Sequence, residues 1–292
     1  MLRLMTWLSL HLGRTTTRLL LYPITAYFFL FAGNARCASH HYLCRALDHA
    51  PTRRDVLRHI FSFAATIHDR IYFINERFDL FDISVTGEQI ISEVLGQERG
   101  AFLMGAHFGS FEAMRAVGRR QPGLRVAMVM YEENARKINA ALAAINPAAQ
   151  DEIIALGRLD SMLRVRERLD AGVVVGMLGD RTLGHEATVV LPFLGRPAAF
   201  PVGPFRMAAI LRRPVCFMSG IYLGGRRYAI HFEALADFSA VSGAQREAAV
   251  LAAVHRYAAL LEAQCHAHPD NWFNFFDFWQ LPAAEGPCDT KH

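Results

Sequence analysis

Lysine is almost missing from this 292-residue chain: Lys137 and Lys291 are the only two, and arginine supplies the rest of the 31 basic side chains. Cysteine is sparse and poorly placed for a scaffold. Cys37, Cys44, Cys216, Cys265 and Cys288 are an odd, dispersed set with no CxxC, which argues against a disulfide framework or a zinc knuckle. The thirteen histidines contain no HExxH, and GxGxxG, Walker A and GxSxG sequences are absent. Zincin, dinucleotide, P-loop and nucleophile-elbow chemistry therefore have no sequence support, and neither a metal nor a cofactor is expected. No apolar run has the length that a polytopic membrane protein needs. The arginines are scattered rather than blocked together with aromatics, so a net charge of +4 makes no case for nucleic acid. Their planar forks suit phosphates or anionic head groups instead.

What is present is apolar: 52% of residues are hydrophobic and 20% charged, enough to build one large α/β domain. Part of that excess opens the chain. A first apolar stretch lies between Arg3 and Arg14, and a second, residues 19–33 (LLLYPITAYFFLFAG), between Arg18 and Arg36. As a helix the second is ~22 Å long at ~1.5 Å per residue, short of a ~30 Å hydrocarbon core. Pro23 lies near its start, where a helix tolerates it. Flanking arginines fit a helix held in one leaflet or a marginal span. A buried core helix and a signal peptide are the alternatives, the latter without a clean A-x-A site. The expected organisation is an apolar membrane-anchoring segment over residues 1–36 and a single catalytic domain over 37–292.

Residues 36–81 read as helical, with Val56, Ile60, Phe63, Ile67 and Ile71 on one face. Strands then alternate with helices. The expected strands are 82–86, 101–106, 125–130, 173–178, 189–191, 214–222 and 228–232. The expected helices are 111–120, 134–145 (Asn134 as N-cap, Pro147 beyond its end), 161–170, 204–211 and 245–266. Apolar strands separated by amphipathic helices predict an α/β fold whose mixed, mostly parallel sheet is flanked by helices.

The segment GAHFGSFE places His107 at the carboxyl end of the 101–106 strand, where open α/β sheets put their ligands. Gly105 and Gly109 bracket it, permitting a tight turn and close approach by a substrate. Glu112, in the first turn of the next helix, can fold back onto the imidazole, fix its tautomer and stabilise the imidazolium. Such a pair deprotonates a hydroxyl or amine attacking a thioester, with the helix N-terminus offering amides to the oxyanion. The spacing by itself fits equally a core histidine and an acid drawn to the helix dipole. Ser110 keeps open a serine esterase or thioesterase, and a non-catalytic membrane lipid-binding protein is the reading outside enzymes.

GAHFGSFE resembles the HX4(D/E) block of the glycerolipid acyltransferase superfamily, in the branch of the late lipid A acyltransferases. Three further blocks follow in order: GVVVGMLGDRTLG, VVLPFLGRPAAFPVGPFRMAAILRRPVCFM and HPDNWFNFF. The similarity runs from about residue 15 to 280. It implies transfer of a fatty acyl group from acyl carrier protein or acyl-CoA to a hydroxyl or amine of a lipid or glycolipid acceptor. The expected setting is the cytoplasmic face of a bacterial inner membrane. His107 is implied as general base and Glu112 as its partner. Asp180 and Arg181 match the second block, and Gly195, Arg196 and Arg206 the third, as residues that shape the site or hold a phosphate of donor or acceptor. The segment YEENARKIN and the aromatic end WFNFFDFW depart from the lipid A branch, so the resemblance leaves the acceptor unnamed.

Overall fold

A computed structural model describes residues 2–96, 99–120, 124–146, 152–157, 160–182 and 186–280. Four helices open it: α1 (Leu2–Arg18), kinked at Gly13, α2 (Leu21–Phe31), α3 (Gly33–Ala46) and α4 (Arg53–Ile74). Residue 36 falls inside α3, so the segment expected to end there runs on in a continuous helix. The start of α4 is fixed by a capping box in which Thr52 and Asp55 satisfy each other's backbone amides. Val56, Ile60 and Ile71 are buried as their spacing predicts, whereas Phe63 and Ile67 are each 38% exposed. The buried face of α4 is turned instead toward His59, Ala65, His68, Asp69 and Tyr72.

The strands are β1 (Asp82–Thr86), β2 (Phe102–Gly105), β3 (Val126–Tyr131), β4 (Glu152–Leu156), β5 (Val174–Leu178), β6 (Thr188–Phe193), β7 (Arg196–Pro201), β8 (Pro214–Tyr222) and β9 (Arg227–Asp237). Seven of them form one sheet in the order β1-β9-β8-β2-β5-β3-β4, parallel except at β8–β9. The helices after α4 are α5 (Glu88–Gly96), α6 (Arg115–Arg120), α7 (Glu132–Ile145), α8 (Ser161–Asp170), α9 (Gly203–Ile210) and α10 (Arg246–Ala267). The α/β architecture with a mostly parallel mixed sheet flanked by helices is therefore the observed one. β2 and β5 are buried along nearly their whole length, as strands covered on both faces must be.

Sequence patterning hid two strands. β7 (RPAAFP) carries a proline near each end, yet it pairs with β6 as an isolated two-stranded hairpin, where a proline without an N–H is tolerated. β4 is a five-residue strand at the sheet edge. Helix α7 begins at Glu132, two residues before the expected cap at Asn134, with Tyr131 at the N-cap and no side-chain cap bond. Pro147 lies outside the described residues. Among the described residues no helix is long and apolar enough to cross a membrane.

Candidate active site

β2 and β5 are parallel neighbours with Gly105 opposite Leu178. Two residues beyond each strand end stand His107 and Asp180, so the sheet register alone sets them side by side. Their contact is close: His107 Nδ1 lies 2.9 Å from Asp180 Oδ1, and the His107 backbone N–H donates to Oδ2 at 3.0 Å. A third donor, the indole Nε1 of Trp272, reaches Oδ2 at 3.0 Å. Asp180 has no solvent exposure, while the imidazole is 34% exposed. Burial pushes the Asp180 pKa upward, but the His107 charge and hydrogen bonds, with the Arg181 charge, outweigh it and hold the carboxyl below its usual range. With Nδ1 on the carboxylate, Nε2 is the ring nitrogen left for a substrate proton. That is the geometry of an oriented general base.

The carboxylate in contact with the imidazole is thus Asp180, where the sequence spacing had Glu112. The chain bends tightly at His107, where the Phe108 amide donates back to the Ala106 carbonyl, and then Phe108 bridges to Trp272 and Gly109 to Gly220 instead of starting a helix. The expected helix 111–120 begins as a 3-10 turn, Glu112–Met114, before α6. Glu112 is carried toward α4, where its Oε1 stands 2.6 Å from Arg70 Nε. The same bridges change two other expectations. The amides of Phe108, Gly109 and Ser110 donate to the carbonyls of Ala106, Asn271 and Gly220, so these three are not free for an oxyanion. The glycine at 109 serves a backbone crossing rather than a substrate: φ is +61°, and a Cβ there would stand 1.9 Å from the Gly220 carbonyl oxygen.

Ser110 is buried, and its hydroxyl donates to Glu112 Oε2 at 3.4 Å. A serine nucleophile needs its base within hydrogen-bond reach, and the partner here is a carboxylate already beside Arg70. Arg181 donates to the Phe273 carbonyl at 2.9 Å and lies 5.2 Å from the Phe276 ring centroid, with its Nε buried and without a hydrogen-bond partner among the described residues. Burial lowers its pKa, partly opposed by Asp180. It is a largely buried cation one residue from the dyad.

The third block splits in two. Gly195, with φ +74°, and the exposed Arg196 sit at the tip of the β6–β7 hairpin. That hairpin is tied toward the site, because Phe193 packs edge-on against Trp272 at 5.3 Å and its carbonyl accepts from Trp279 Nε1 at 3.1 Å. Arg206, on α9, is instead paired with Glu247 on α10 at the surface. The residues that sequence reasoning passed over are Trp272, Asn271 and Arg70. The block HPDNWFNFF was the available signal for the first two; nothing in the spacing pointed to Arg70.

Among the described residues no three of His, Cys, Asp and Glu gather as a metal-binding set. The model of the bacterial lipid A biosynthesis acyltransferase family matches residues 56–280, and the chain belongs to that family. No curated protein matches the chain.

Proposed function

We propose that this member of the lipid A biosynthesis acyltransferase family moves a fatty acyl group from an acyl thioester, on acyl carrier protein or coenzyme A, to a hydroxyl or amine of a lipid or glycolipid acceptor. The observation that carries the reading is the His107–Asp180 pair at the carboxyl ends of adjacent parallel strands, its Nδ1 held and its ring partly open to solvent. His107 Nε2 takes the proton as the acceptor oxygen or nitrogen attacks the thioester carbonyl. Collapse of the tetrahedral intermediate breaks the C–S bond, and the imidazolium returns the proton to the departing thiolate. Asp180 stabilises the imidazolium in between. Glu112, bound to Arg70 and Ser110, supports the wall beside the base, and Arg181 supplies positive charge for a phosphate or for the developing oxyanion. Arg196, at the hairpin tip, faces solvent where a donor's phosphopantetheine arm can reach it.

The proposed setting is the cytoplasmic face of a bacterial inner membrane, with residues 1–36 holding the enzyme to the lipid. Trp7, Leu10, Leu19, Tyr22, Phe28 and Phe31 are exposed on α1, α2 and the link between them. The first 47 residues contain five arginines and no acid, a balance that favours anionic lipid. At 11 residues α2 is ~17 Å long, so the reading is of helices lying in one leaflet.

The test is release of free thiol from acyl-CoA or acyl carrier protein in the presence of extracted membrane lipid, with mass spectrometry of the acylated product. His107→Ala should lose at least ~10³-fold in kcat, and Ser110→Ala should stay within ~3-fold of wild type. Full activity in the histidine variant sinks the mechanism; loss confined to the serine variant would favour an acyl-serine enzyme.

A further inference from the structure

Trp272 follows the short 3-10 turn Pro269–Asn271 and has no solvent exposure. Its ring sits edge-on among Tyr42, Phe193 and Phe278, at 5.1, 5.3 and 4.8 Å between centroids. Its backbone is held as firmly. The Trp272 carbonyl accepts from His59 Nε2 at 2.9 Å, and His59 Nδ1 lies 2.8 Å from Ser39 Oγ. Burial pushes the His59 pKa down to about 4, so the ring is neutral at physiological pH and its one proton sits on Nε2. On either side, Asn271 accepts from the Gly109 amide at 2.8 Å and Phe273 donates to the His107 carbonyl at 2.8 Å. The tryptophan is therefore locked in ring and backbone, with its single polar atom aimed at the carboxylate that orients the base.

We propose that Trp272 is a positioning residue for proton transfer: its indole N–H anchors Oδ2 of Asp180, which keeps Oδ1 on His107 Nδ1 and directs Nε2 to the substrate. A carboxylate free to rotate about its Cβ–Cγ bond presents either oxygen, or neither, to the imidazole. Here the His107 amide and the indole both engage Oδ2, so the plane of the carboxylate is set by the backbone just past β2 and by the C-terminal segment. The charged and titratable groups acting on Asp180 are His107, Arg181, Tyr257 and Cys265. None of them donates to Oδ2 from its side chain, so among the described residues the His107 amide is the one donor left on Oδ2 when the indole is removed. The inference rests on reading His107–Asp180 as the proton-transfer pair.

The experiment compares full-length wild type with Trp272→Phe and with a chain carrying 3-benzothienylalanine at 272, which keeps the bicyclic shape but replaces N–H by sulfur. Loss of one donor to a charged acceptor predicts a kcat lower by about 10–100-fold, with KM within ~3-fold. The acid limb of the pH–rate profile should move to higher pH, because an Asp180 with fewer donors is a more basic carboxylate. A purely structural tryptophan would lower thermal stability and leave that limb in place. The ¹⁵N shifts of the His107 ring give a readout without turnover: Nδ1 protonated in the wild type, a tautomer mixture in both variants. If the benzothienyl protein keeps wild-type kcat, limb and tautomer, the proposal is overturned, whether or not the phenylalanine variant folds. If wild type transfers no acyl group but the tautomer shift appears, the functional reading fails and the positioning role stands.

Discussion

Replacing Asp180 with asparagine isolates the charge and acceptor pattern of the dyad with almost no change in shape. In the native site Oδ2 accepts from the His107 amide and the Trp272 indole, and Oδ1 faces His107 Nδ1. An asparagine has one acceptor oxygen and one donor NH2. Turning the NH2 toward the Oδ2 position would aim it at two donors in a fully buried site, so the oxygen must stay there and the NH2 must face Nδ1. The imidazole then accepts at Nδ1 and carries its proton on Nε2, the nitrogen that should be the base. A tautomer reversal of this kind costs on the order of 10⁴ in kcat in a hydrolytic triad, or about 5 kcal/mol of barrier. Thiol release under saturating donor is the assay, and His107→Ala combined with Asp180→Asn should be no slower than the worse single variant. Stability adds a second signature. Asp180 titrates lower in the folded chain than when unfolded, so its stabilising contribution is present above the unfolded pKa and is lost as pH falls through the folded one. The stability gap between wild type and variant should therefore shrink on acidification below about pH 4. An asparagine variant retaining more than about a tenth of wild-type kcat would refute the assignment of Asp180 as orienter.

Two further predictions probe the frame around the dyad. Gly109→Ala forces a left-handed backbone and a Cβ 1.9 Å from the Gly220 carbonyl; chemical denaturation should show a loss of at least ~3 kcal/mol, with activity falling because His107 lies two residues away. Leu30→Glu with Phe31→Glu changes side chains that are 64% and 72% exposed, so the melting temperature should hold while co-sedimentation with anionic vesicles drops several-fold. Unchanged vesicle binding would remove the proposed lipid contact from this ridge.

The legible part of the sequence was its periodicity. Uniformly apolar runs such as VVVGML gave β5 within a residue, and the same rule put His107 just past β2. The dyad partner was hidden because Glu112 is near in sequence while Asp180 is near in space, 73 residues along the chain. Strand neighbours cannot be read from spacing: β2 pairs with β5 and β8, neither of them adjacent in order. Once that pairing is known, Gly105 opposite Leu178 makes the His107–Asp180 contact unavoidable. The expected apolar stripe of α4 failed for a related reason. Periodicity counts apolar side chains, and this helix buries Asp69 and two histidines on partners that lie elsewhere in the chain.

Those buried polar groups make α4 the element through which the N-terminal helices and the site are joined. Asp69 accepts both arms of Arg14 from α1, at 2.7 and 2.8 Å, and the Tyr228 hydroxyl at 2.8 Å. The next residue, Arg70, stands against Glu112. Eleven positions before Arg70, His59 holds the Trp272 carbonyl, and Phe63 between them packs edge-on against Phe273 and Phe275. Arg14 is largely buried and Asp69 wholly so, which makes the clamp costly to break from one side: a lone buried charge loses several kcal/mol, about 3–5 in comparable pairs. Removing the Asp69 carboxylate therefore both frees α1 and disturbs the helix that carries Arg70 and His59. On the proposed one-leaflet placement, a helix that ties the apolar ridge to both walls of the site would fix where the lipid surface stands relative to His107. In a family whose acceptors are lipids, that is the distance the enzyme has to hold constant.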